Sequence, residues 1–134
     1  MMASASENDL YSDPARENRL CKLRMEEKTP KVAASLAKGD FTKLGEELKE
    51  VYAAGNDWVH IDVQDGRFVQ KISVGPPVVK ALRGLSEDYV LDCHLMMVEP
   101  EKRINDFVKA GADIITVHVE GTSTIHIHRC IQMI

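Results

Sequence analysis

Two short runs, Trp58 to Gly66 (WVHIDVQDG) and Asp92 to Met96 (DCHLM), have strand-like character but carry ionisable side chains where a buried strand carries apolar ones. A strand places residues i and i+2 on one face. His60 and Asp62 therefore point the same way, and Asp92 and His94 share a face of the second run. Ionisable groups on an inward face are costly unless they are paired or bind a metal. His60, Asp62 and His94 together offer two imidazoles and a carboxylate, a set suited to one divalent transition ion such as zinc, iron, manganese or cobalt. An ion held there is a Lewis acid for a carbonyl or enediolate oxygen. Asp62 is also a candidate general base if burial or a nearby charge tunes it. Taken singly, each residue has a structural explanation, the histidines as satisfied core residues and Asp62 as a loop-end cap. Three of them aimed from neighbouring strands point to function.

Other residues carry less. His118 and Glu120 have the right parity for a pocket, or for nothing more than a polar strand end. Asp65-Gly66 reads as a tight turn. His126 and His128 are two apart on an expected helix, so they face different ways and belong to the surface. Met96 and Met97 suit a core, and Ser35 is unremarkable by composition.

The elements that must position these groups alternate regularly from Val32 onward. Val32 to Leu36 is a short apolar run, expected as a first strand. Asp40 is an N-cap candidate for a helix whose apolar face is Leu44, Leu48, Val51 and Tyr52, with Gly55 at its end. Trp58 to Val63 is the second strand. Pro76-Pro77 opens a second helix that buries Val78, Val79, Leu82 and Leu85. Tyr89 to Met97 is a third strand. Pro100 opens a third helix, with Ile104, Phe107 and Val108 inward and Gly111 as its cap. Ile114 to Val119 is a fourth strand, and Thr122 to Thr124 offer caps for a helix running to Ile134. The sequence Ala54-Gly-Asn-Asp57 is echoed by Ala110-Gly-Ala-Asp113, each ending a helix and feeding a strand.

Such alternation implies an α/β fold with a parallel sheet, either a TIM barrel or an open doubly wound sheet. No Gly-x-Gly-x-x-Gly follows the first strand, which argues against a dinucleotide site. Four βα units occupy roughly 100 residues, whereas a (β/α)8 barrel needs eight units and about 250 residues. The expectation is a partial barrel, with unpaired edges on its first and fourth strands and an inward face open to water.

The bulk composition agrees. Apolar residues make up 44 % of the 134, enough for one domain with a core. Net charge is -4 without a basic block, against nucleic acid as partner. No apolar run approaches the roughly 20 residues of a membrane span. Cys21, Cys93 and Cys130 are odd in number and scattered, which fits a reducing compartment. Residues 1–30 are rich in charge and poor in aliphatics, so a disordered or loosely helical tail is expected ahead of a domain at 31–134. The acidic residues Glu7, Asp9, Asp13, Glu17, Glu26 and Glu27 argue against a transit peptide, favouring a cytoplasmic over a plastid location.

Val32–Phe41 (VAASLAKGDF), His60–Val69 (HIDVQDGRFV), Val74–Pro77 (VGPP), Asp92–Met96 (DCHLM), Ala110–Asp113 (AGAD) and Ser123–Arg129 (STIHIHR) together resemble ribulose-phosphate 3-epimerase. The match runs in order from about residue 31 to the end without large gaps. Asp65-Gly-Arg-Phe68 and Ser123-Thr-Ile-His126 resemble the plastid and cyanobacterial branch more than the animal one. The resemblance implies a (β/α)8 barrel that interconverts the sugar phosphates ribulose 5-phosphate and xylulose 5-phosphate, a step of the pentose phosphate pathway and the Calvin cycle. Two aspartates then exchange a proton at C3 from opposite faces of the sugar, with a metal ion stabilising the enediolate. By the same resemblance His60, Asp62 and His94 match three of four metal ligands, and Asp62 one of the two acid/base aspartates. Ser35 and His94 match substrate-contacting residues, and Met96 a methionine packed around the enediolate.

The sequence also departs from that pattern. The second aspartate belongs to a seventh strand and the phosphate-gripping glycine loops to later strands, beyond the four read here. Gln64 stands in place of a usual methionine, Gln70-Lys71 of Pro-Asn, Ala34 of Pro and Lys38 of Ser. The expectation is therefore the N-terminal half of an epimerase, a truncated gene model or a short isoform, with little activity alone and weak metal binding for want of the fourth ligand. One rival is a non-catalytic fragment that pairs its open edges with itself, as a homo-oligomer, or with a full-length epimerase. Another is a different metal-dependent sugar-phosphate enzyme on the same fold, such as an aldolase, although no Schiff-base lysine stands late on an inward strand face.

Overall fold

Four parallel strands lie side by side in chain order: β1 (Ala33–Ser35), β2 (Trp58–Gln64), β3 (Val90–Met96) and β4 (Ile114–Val117). The computed structural model describes residues 13–25 and 29–134. Helices α2 (Leu44–Ala53), α3 (Pro76–Arg83) and α4 (Ile104–Ala110) connect successive strands, and α5 (Ile127–Met133) follows β4. The order 1-2-3-4 never reverses, which separates this sheet from a doubly wound one. It is the arrangement of a partial (β/α)8 barrel, as the alternation predicts.

Period-two patterning decides which face is covered. Val59, Ile61 and Val63 of β2 and Leu91, Cys93 and Leu95 of β3 are buried. They join Leu48 of α2, Val79 and Leu82 of α3, and Ile104 and Phe107 of α4 in one core. Each fully buried aliphatic of this kind contributes about 1.5–3 kcal/mol. The opposite face carries Ser35, His60, Asp62, Gln64, His94 and Met96, all half-buried or exposed. The parallel register sets Ser35 opposite His60, His60 opposite Asp92, and Asp62 opposite His94.

Some boundaries differ from the sequence expectation. The first strand is short because Leu36–Lys38 turn into a 3-10 helix. Asp40 does not cap α2. Its carboxylate accepts from the Thr42 amide at 2.9 Å and the Thr42 hydroxyl at 2.7 Å, closing a turn, and α2 starts after Lys43. Leu85 lies beyond the end of α3 and is exposed. Pro100–Lys102 form a separate 3-10 turn before α4. The fourth strand ends at Val117, and α5 is capped by the His126 ring, which accepts from the Arg129 amide. Ser123 and Thr124 are buried instead, Ser123 donating to the Met97 carbonyl at 2.8 Å. The two echoed Ala-Gly pairs do end helices, with Gly55 and Gly111 both left-handed at φ 97° and 103°.

The tail expected over residues 1–30 falls in part on residues 1–12 and 26–28, which lie outside the described residues. Between them runs α1 (Pro14–Met25). Asp13 starts it by accepting from the Ala15 amide, and Pro14 suits its first position. Arg19 fastens it to the core. The Arg19 Nε donates to Asp113 at 3.0 Å and Nη1 donates to the Glu87 carbonyl at 2.6 Å. The Asp113 side chain is fully buried and also accepts from Arg83 and from the Leu91 amide. No described helix is long and apolar enough to cross a membrane.

Candidate metal and proton-transfer site

The open face of the sheet gathers its ionisable side chains into one hydrogen-bonded row. Asp92 sits almost buried on β3, and its Oδ2 lies 2.7 Å from Nδ1 of His60 on β2. A carboxylate only accepts, so this contact places the imidazole proton on Nδ1. Asp92 Oδ1 is buried without a partner among the described residues, so the His60 bond is what offsets the burial of that carboxylate. The other nitrogen of His60, Nε2, faces Asp62 Oδ1 at 3.2 Å. In a neutral ring that nitrogen carries a lone pair, so either a second proton, which makes the ring cationic, or a metal ion completes the contact with the carboxylate.

His94 approaches from β3. Its Nδ1 is also 3.2 Å from Asp62 Oδ1. One donor atom each from His60, Asp62 and His94 lies within 4.8 Å of the others. Two imidazole nitrogens and a carboxylate oxygen converging in this way fit a divalent transition ion, and the His60 tautomer held by Asp92 suits it further. The three residues predicted from sequence are thus brought together by the two-residue period within β2 and the register across to β3.

Asp62 itself is tuned in two directions. Partial burial works against its charge. The hydrogen bonds from Ser35 and His94 and the charges of His60 and His94 outweigh burial and hold the carboxyl below the usual range. Ser35, at the end of β1, donates to Asp62 Oδ2 at 2.9 Å. Met96 lies on the same face two residues beyond His94, with the Gln64 amide 3.8 Å from its sulfur. A cavity of about 420 Å³ opens beside Asp62, lined by Gln64, Lys38, Lys71 and Ser73 among others. Ser73 clasps the loop to β2, donating to the Asp62 carbonyl at 2.7 Å and accepting from the Gln64 amide. Asp65 accepts from the Arg67, Phe68 and Val98 amides and so ties the loop after β2 to the segment after β3.

His118 and Glu120 stand just past β4 and extend the row. His118 Nε2 is 2.9 Å from His94 Nε2, and His118 Nδ1 is 3.0 Å from Glu120 Oε2. His126, which caps α5, and His128 within it are exposed and take no part in the row. Sequence reasoning noticed Asp92 but gave it no role. Its parity was visible, whereas its partner depends on strand register. Ser73, eleven residues from Asp62, left no pattern to find.

Comparison with known proteins accords with this geometry. Residues 31–134 match the model of the ribulose-phosphate 3-epimerase family. The chain is 56% identical over 103 residues to the chloroplastic ribulose-5-phosphate-3-epimerase of Arabidopsis thaliana, covering 77% of this chain and 36% of that protein. It is 55% identical over 103 residues to the ribulose-phosphate 3-epimerase of Synechocystis, covering 77% and 44%. With that of Bacillus subtilis it shares 50% over 104 residues, covering 78% and 46%. The chain therefore spans less than half the length of each of these relatives. The family is one of divalent-metal TIM-barrel enzymes, and this chain belongs to the ribulose-phosphate 3-epimerase family.

Proposed function

We propose that residues 31–134 supply one side of an epimerase site that interconverts ribulose 5-phosphate and xylulose 5-phosphate. The observation that carries the reading is the setting of Asp62. One of its oxygens is shared by two imidazoles, the other is held by Ser35, and the carboxyl is kept ionised at neutral pH. An ionised carboxylate on the open face is poised to accept a proton. In these sugars C3 is adjacent to the carbonyl, so removal of its proton leaves an enediolate. Return of a proton to the opposite face inverts C3, which requires a second acid. The family resemblance assigns that acid to a later strand, outside the residues described here.

His60, Asp62 and His94 are the proposed ligands of one zinc, iron, manganese or cobalt ion. When bound, such an ion withdraws charge from the enediolate oxygens. Ser35 fixes the orientation of Asp62 and faces the substrate, and Met96 offers an apolar wall that keeps water from the reacting carbon. Cytoplasmic residence is proposed from the acidic first thirty residues, and import of the chain by isolated plastids would contradict it.

Complementation tests the function. Co-refolded with the C-terminal half of the Synechocystis relative, the chain is expected to convert ribulose 5-phosphate, and Asp62→Asn is expected to abolish that conversion. The 134-residue polypeptide alone is expected to show little or none. A folded but inactive complement, or conversion that survives Asp62→Asn, would refute the assignment.

A further inference from the structure

Where β3 and β4 begin, at the other end of the strands from Asp62, helices α1, α3 and α4 border a cavity of about 420 Å³. That size falls within the roughly 300–1,000 Å³ of small-molecule sites. Helix α1 precedes residues 31–134, so the family match covers only two of the three walls. Five cations line the cavity: Arg16 and Arg19 from α1, Lys80 and Arg83 from α3, and Lys109 from α4. Asp13 and Glu87 line it too, and both lie within 4.0 Å of Arg19. The buried Asp113 binds Arg19 and Arg83. Arg83 also donates to the carbonyls of Gly111 and Tyr89, where α4 ends and β3 approaches.

These contacts leave three cations over. Arg16 Nε is buried with no hydrogen-bond partner among the described residues. A buried donor without an acceptor is costly. Lys80 and Lys109 are exposed and pair with no described residue. Five cations against three carboxylates leave an excess of two positive charges, which one dianion matches. The three unmatched donors come from three different helices. A tetrahedral oxyanion offers acceptors in as many directions, whereas a flat carboxylate does not. A guanidinium with two ammonium groups suits phosphate in particular.

We propose that this cavity binds a phosphate dianion, free or as the monoester of a small metabolite, through Arg16, Lys80 and Lys109. An occupant there ties α1 to α3 and α4. The site stands apart from Asp62 and does not depend on the epimerase reading.

NMR of the full chain, titrated with inorganic phosphate at constant ionic strength, tests the proposal. Saturable shifts are expected at the Arg16 Nε–H, the Lys80 side chain and the Gly111 amide. Phosphate is also expected to slow hydrogen exchange within Pro14–Met25. Arg16→Met, Lys80→Met and Lys109→Met keep the apolar stems and are each expected to weaken binding about tenfold. Lys49→Met makes the same change of charge on the exposed surface of α2 and is expected to leave binding unaltered. Tighter binding of glycerol 3-phosphate than of phosphate would assign the site to monoesters, and equal or weaker binding to free phosphate. Shifts that rise without saturation, or that centre on Lys38 and Lys71 in the cavity beside Asp62, would overturn the inference. So would equal losses in Lys49→Met, or cavity variants with wild-type spectra and wild-type phosphate affinity.

Discussion

At the residue scale, the site depends on how one carboxylate is shared. Ser35 contributes the largest of the effects that lower the Asp62 pKa, against the opposing effect of burial. Ser35→Ala removes that bond and leaves the burial, so the Asp62 carboxyl is expected to titrate at higher pH, followed by carbon-13 NMR of its carboxyl group. An Asp62 titration unmoved by the change would contradict this. Because its folded value lies below the unfolded one, ionised Asp62 stabilises the fold above the unfolded value and that stabilisation is lost as pH falls through the folded value. The variant narrows the window. His60, Asp62 and His94 were legible in the sequence because charged residues at a spacing of two interrupt apolar strands. The proton positions were not. They depend on which nitrogen meets Asp92 or Glu120, a matter of strand register and ring orientation that no spacing encodes.

At the scale of elements, periodic apolar faces made the alternation of β1 to β4 with α2 to α4 readable, and local turn chemistry shifted the ends. Asp40 has the residue type of a cap but bonds Thr42 instead, and a histidine rather than Thr122 to Thr124 caps α5. Helix α1 shows a different limit. It is polar on nearly all sides, so no apolar stripe announces where it docks. It is held by Arg19, whose guanidinium is nearly buried against the fully buried Asp113. Breaking a buried pair by removing one partner costs about 3–5 kcal/mol when the remaining charge is left alone. Asp113 would keep Arg83 and the Leu91 amide, so Arg19→Leu is expected to cost about 1–3 kcal/mol in urea unfolding. Cleavage by protease is expected to rise within Pro14–Met25 while the strands stay protected. Protection of α1 equal to wild type would show that Arg19 is not its anchor.

At the scale of the whole molecule, a sheet whose second face is open has two unsatisfied boundaries. Among the described residues, β1 and β4 each lack a strand partner on one side, and each offers its outer backbone groups for pairing. The apolar side chains beside that opening are exposed: Phe41 and Ile72 at the cavity beside Asp62, Val119 and Ile125 beyond β4. In these relatives the matched residues make up less than half of the protein, so further chain is there to cover such surfaces. The 134-residue polypeptide produced on its own has only other copies, so it is expected to self-associate, with a mass above that of the monomer in light scattering at tens of micromolar. Ile125 is 95% and Val119 78% exposed, so their replacement by lysine removes apolar surface without disturbing the core. The double variant Val119→Lys, Ile125→Lys is expected to shift the population toward monomer at unchanged helical content. A wild-type chain that stays monomeric, with native circular dichroism, would mean that the open face and edges are tolerated in water. The site residues on that face would then be accessible to metal and substrate without any second chain.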